Sequence, residues 1–75
     1  MLEVDLKAPD REIGEIVARN CASFGQVTSV KVHRTPSAFA LVEMTTRDQT
    51  NELAANLGGS VFGTCALIHL EQKTG

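Results

Sequence analysis

The sequence predicts a small α+β domain with four β-segments and two α-helices in the order β-α-β-β-α-β, both helices lying on one face of the sheet. Period-two alternation of apolar and polar residues marks four segments, the sign of strands with one buried side. Two intervening stretches repeat apolar residues at helical spacing between recognisable start and stop signals. A short turn joins the second and third segments, so these should pair antiparallel.

In the first segment, Leu2, Val4 and Leu6 face one way and Glu3, Asp5 and Lys7 the other, a half-buried strand over residues 2–7. Pro9 and Asp10 interrupt it, and Asp10 is the expected N-cap of a helix. Ile13, Ile16, Val17, Cys21 and Phe24 then line one helical side for about four turns, up to a stop at Gly25. Val27, Val30 and Val32, with Lys31 and His33 between them, predict the second strand, and Arg34-Thr35-Pro36-Ser37 the turn. In the third, Ser37 to Met44, Ala38, Ala40, Val42 and Met44 point inward, while Phe39, Leu41 and Glu43 point outward. Thr46-Arg47-Asp48-Gln49 fits a capping box, in which hydroxyl and side-chain amide satisfy orphan backbone donors. Leu53, Ala54 and Leu57 are the inward residues of the second helix, and Gly58-Gly59 supplies its left-handed end. After Val61-Phe62-Gly63, the last strand turns Ala66, Ile68 and Leu70 inward and Leu67, His69 and Glu71 outward. Right-handed crossovers place both helices on the same side, giving a ferredoxin-like split unit whose other face meets solvent.

A chain of 75 residues makes one domain, and one this short buries only roughly 60% of the surface its unfolded form exposes. With 43% hydrophobic and 21% charged residues it falls among globular rather than disordered or membrane chains. No apolar run approaches the roughly 20 residues that cross a bilayer, and the acidic start Met1-Leu2-Glu3-Val4-Asp5 lacks secretory-signal character. The expected location is intracellular: the cytoplasm, or the nucleus in a eukaryote. Cys21 and Cys65 are far apart and fall inside apolar patterns, so both are expected to be buried free thiols, neither a metal pair nor a disulfide framework. A net charge of −2 excludes a sequence-independent electrostatic grip on nucleic acid, leaving only a local patch for such a role.

The third-strand segment Ser37-Ala38-Phe39-Ala40-Leu41-Val42-Glu43-Met44 aligns with the signature K/R-G-F/Y-G/A-F-V-x-F/Y, matching it at Phe39, Ala40 and Val42. Ser23-Phe24-Gly25-Gln26-Val27, Leu57-Gly58-Gly59 and Gly63 follow in the matching order. The chain thus resembles the RNA recognition motif (RRM) family over essentially its full length, as an atypical member. The resemblance implies a four-stranded antiparallel sheet in the order 4-1-3-2 that stacks bases on aromatic side chains of its two central strands. Phe39 occupies one such position; Leu41 stands where a second aromatic is expected and Glu3 where the first strand offers the third.

The implied partner is single-stranded RNA, or single-stranded DNA, held weakly by the open sheet face. Phe39 would stack one base beside Leu41, with His33 and His69 flanking it from opposite edge strands, about 14 Å apart at roughly 4.8 Å per strand step. Lys31, Arg34 and Lys73 would hold phosphates. The lost aromatics, together with Glu3, Asp5, Glu43 and Glu71, support a reading from another class: a protein-interaction module that keeps the fold and uses its apolar patch, or its helical face, for another polypeptide.

Enzymatic readings lack a constellation. Glu3 and Asp5 sit on an open sheet with no cleft to desolvate them. His33 and His69 are too far apart to share a zinc ion. Gly58-Gly59 and Gly63 follow a helix where a phosphate-binding loop should precede one. The same topology hosts acylphosphatase-like enzymes and copper-chaperone-like domains, but the loop Lys7-Ala8-Pro9-Asp10 carries neither the arginine of the first nor the paired cysteines of the second. The expectation is a non-enzyme with no cofactor, metal or small-molecule substrate.

Overall fold

The computed structural model describes residues 1–74 and shows an α+β domain in which two helices pack on one face of a mixed, open, five-stranded sheet. The strands are β1 (Leu2–Val4), β2 (Val27–His33), β3 (Phe39–Met44), β4 (Ser60–Phe62) and β5 (Cys65–Gln72). Helix α1 spans Asp10–Cys21 and continues into a 3₁₀ turn over Ala22–Phe24; helix α2 spans Arg47–Leu57. No described helix is long and apolar enough to cross a membrane.

Three expectations about the sheet are corrected: it has five strands rather than four, is mixed rather than antiparallel, and has a different order. Its order is β1-β5-β3-β2 rather than 4-1-3-2, so the last strand lies in the middle and the first at the edge. β1 runs parallel to β5, with Leu2 opposite Leu70. The extra strand β4 pairs antiparallel with the start of the same β5 edge, Phe62 opposite Cys65. The physical reason lies in the two strands that compete for the centre. β5 is 8 residues long and apolar on its inner side, whereas β1 keeps only 3 residues and carries the charged Glu3. A short charged strand is suited to an edge, where half its backbone groups remain exposed. β1 ends early because the Asp5 carboxylate accepts the Lys7 N–H at 3.0 Å and the Asp5 carbonyl accepts the Ala8 N–H, turning residues 5–8 away from the sheet.

The core lies between helices and sheet. Ile13, Val17 and Cys21 from α1 and Leu53 from α2 meet Val4, Ala40, Val42, Met44, Ala66, Ile68 and Leu70, all buried. The inward residues of β3 and β5 are those the alternation assigns, so both helices cover one face and the other stays open. Asp10 does not cap α1: Pro9 occupies the N-cap position, and the Asp10 carboxylate pairs instead with Arg34 at 2.7 Å. In α2 the Thr46 hydroxyl accepts the Gln49 N–H at 3.2 Å, but the Gln49 side chain turns away from Thr46 and lies against Gly25. Gly58 closes α2 in the left-handed conformation at φ 71°. Buried Thr50 ties α2 to the β4–β5 turn, its hydroxyl donating within 3.0 Å of both the Thr46 and Thr64 carbonyls.

Candidate nucleic-acid interface

Register places the outward side chains in rows that cross the open face. His33, Phe39 and His69 stand directly opposite one another on β2, β3 and β5. Lys31, Leu41, Leu67 and Ser60 form the next row, and Ser29, Glu43, Cys65 and Phe62 the one after. On the β1 side, Glu3 lies opposite Glu71.

The first row brings together three of the expected site residues. Because β5 is central, His33 and His69 lie two strand steps apart, roughly 10 Å, rather than three steps with about 14 Å between them. The His33 and Phe39 rings stack with centroids 4.9 Å apart and planes 13° from parallel. One face of Phe39 is thus covered by the imidazole of His33. Phe39 is half-buried; both histidines are exposed.

Lys31 and Leu41 lie in the second row and help line a shallow depression of about 250 Å³ with Ser29, Glu43 and Cys65. One Glu43 oxygen accepts the Thr64 hydroxyl at 3.1 Å; the other is buried with no hydrogen-bond partner among the described residues. Cys65, expected to be interior, is only half-buried on this outer face. Desolvation raises its thiol pKa, with the Glu43 carboxylate adding to the rise and Lys31 opposing it. The shift disfavours the thiolate, which is the nucleophilic form.

Arg34 and Lys73 are not part of these rows. The Arg34 guanidinium donates to the Asp10 carboxylate and to the Leu6 and Ala8 carbonyls, three bonds that hold the β1–α1 loop. Lys73 follows β5, where its backbone N–H donates to the Val4 carbonyl at 2.8 Å and its exposed side chain lies beside Asp5 and Lys7. It flanks the β1 edge, away from Lys31.

Phe62 was outside the expected site, yet it is the most exposed large aromatic on the outer face, at 62%. Its signal is the short hairpin: Gly63 takes φ 65° at the first position of a two-residue turn, so Ser60, Val61 and Phe62 alternate out, in, out against β5. Among the described residues no cluster of three or more His, Cys, Asp or Glu is placed to hold a metal ion. Compared with protein-family models, curated proteins and solved structures, the chain matches none of them.

Proposed function

We propose that the chain is an RRM-like module that binds single-stranded nucleic acid, RNA in the first place, weakly through its open sheet face. The observation that carries this reading is the His33–Phe39–His69 row, three π-bearing side chains at one level of three adjacent strands. A base stacks on the part of Phe39 that His33 leaves uncovered, and Lys31, one row along, supplies a phosphate contact. The site departs from the family pattern in its stacked His33–Phe39 pair and in the edge position of β1, which removes Glu3 from any central platform. One aromatic platform in place of three accounts for weak binding, since each stacked base contributes about 1–3 kcal/mol.

Fluorescence anisotropy with a short labelled RNA tests the proposal. Phe39→Ala should weaken binding by about fivefold to 150-fold, the range that 1–3 kcal/mol represents. Equal affinities for the wild type and the variant would contradict it.

A second reading, a protein-interaction module on the same face, is favoured by the exposure of Phe62 next to Cys65 and by the acidic Glu3–Glu71 border. A nuclease-resistant complex with one polypeptide, lost on Phe62→Asp, would replace the RNA reading. A complex that persists in that variant would rule out this use of the face.

A further inference from the structure

β2 ends the strand order, 7 residues long with an irregularity in its pairing between Val27 and Ser29, and without a strand on its outer side among the described residues. From Ser29 to His33 the register is regular, so alternate N–H and C=O groups there point away from the sheet and offer a short template for another strand. Beside it runs a groove of about 340 Å³ between α1 and β2, lined by Gly14 and Ala18 on the helix and by Val30 on the strand. Gly14 is in the middle of α1, where glycine is the least favourable residue after proline, and a Cβ there would lie 4.0 Å from Val30 Cγ1. The missing side chain leaves the strip beside the free edge open.

We infer that β2 pairs antiparallel with β2 of a second copy of this chain, about a two-fold axis at Val30, making one continuous sheet. The occupant is a second copy because the surface is complementary to itself, as a two-fold contact requires. Pairing centred on Val30 sets Val30 against its counterpart on the helix side and Ser29 against Lys31 on the outer side. A register shifted to centre on Lys31 would oppose two ammonium groups, which is unfavourable. The same axis lays the two α1 helices side by side and antiparallel, closest at Gly14, where helix packing at about 8–10 Å needs small side chains. Arg11 then faces Glu15 of the other copy, and Glu15 faces its Arg11. Within one chain these two side chains are 3.7 Å apart and 91% and 62% exposed, so they can exchange partners with little rearrangement. The dimer leaves the open sheet face uncovered, so the inference stands apart from what that face binds.

Sedimentation velocity on the full chain, from micromolar to millimolar concentration, tests the pairing. The wild type should show a concentration-dependent monomer–dimer equilibrium. Gly14→Leu, which fills the groove with a good helix former, should remain monomeric with an unchanged far-ultraviolet spectrum. Arg11→Glu should weaken association by about tenfold or more, and adding Glu15→Arg to it should restore association, because the reversed charges again attract across the axis. The charge swap keeps the test decisive should Gly14→Leu perturb folding. A wild type that stays monomeric to millimolar concentration, or a dimer indifferent to both the groove and the charge swap, would overturn the inference.

Discussion

Arg34 shows how an arginine in a turn can serve the fold rather than a ligand. Its planar fork reaches one carboxylate and two carbonyls from a preceding loop, an arrangement an ammonium group cannot reproduce. In urea, Arg34→Ala should cost about 1–2 kcal/mol, with little recovery in Arg34→Lys. In the linear sequence Arg34 is a cation beside a strand end and looks like a phosphate ligand; its carbonyl partners lie 26 and 28 residues away and have no compositional mark. Burial raises the pKa of both thiols, Cys21 in the core and Cys65 on the outer face. Burial pushes Cys21 from 9.0 up to about 11. The folded state therefore holds this proton more tightly than the unfolded chain. Its contribution is complete below pH 9 and lost as the pH rises through 11, with a slope of up to about 1.4 kcal/mol per pH unit. Denaturant midpoints across that window should fall in the wild type and fall less in Cys21→Ala, each variant being compared with its own value at neutral pH.

At the scale of elements, period-two alternation correctly divides inward from outward residues in β3 and β5, because one face is packed and the other is not. Strand order is a different matter. Alternation in Leu2–Lys7 says that a strand can form; it does not report the competition with the longer Cys65–Gln72 strand for the central place, which backbone pairing decides. β4 has only 3 residues, too few for a periodic signal, and the outward position of Phe62 has no more mark in the sequence than the strand itself. Gly63 carries that hairpin. Nothing lies within 4 Å of a Cβ placed there, so Gly63→Ala meets no clash, and its cost is the left-handed backbone at φ 65°. A loss of about 1–2 kcal/mol in thermal or urea unfolding is expected, with chemical-shift changes centred on Phe62. An unaltered midpoint would show that the turn tolerates an L-residue.

For the whole molecule, a net charge of −2 and a single stacking row limit the proposed RNA binding to weak affinity. Among the described residues Lys31 is the one lysine or arginine within the rows, since Arg34 is committed to the loop and Lys73 borders the far edge. Affinity should therefore depend only shallowly on salt, with a slope of about −0.7 for each phosphate neutralised on a single strand. The domain's class and its open face were readable from the sequence because they follow from burial pattern; which residues share a row depended on register and order, and emerged only with the sheet assembled. The most direct test is a ¹⁵N-resolved NMR titration of the chain with a pool of short random-sequence RNAs. The account predicts fast-exchange shifts at His33, Phe39, His69, Lys31 and Leu41 that shrink as salt is added, with α1 and α2 unmoved. No shift at millimolar RNA, or shifts confined to the helices, would contradict it.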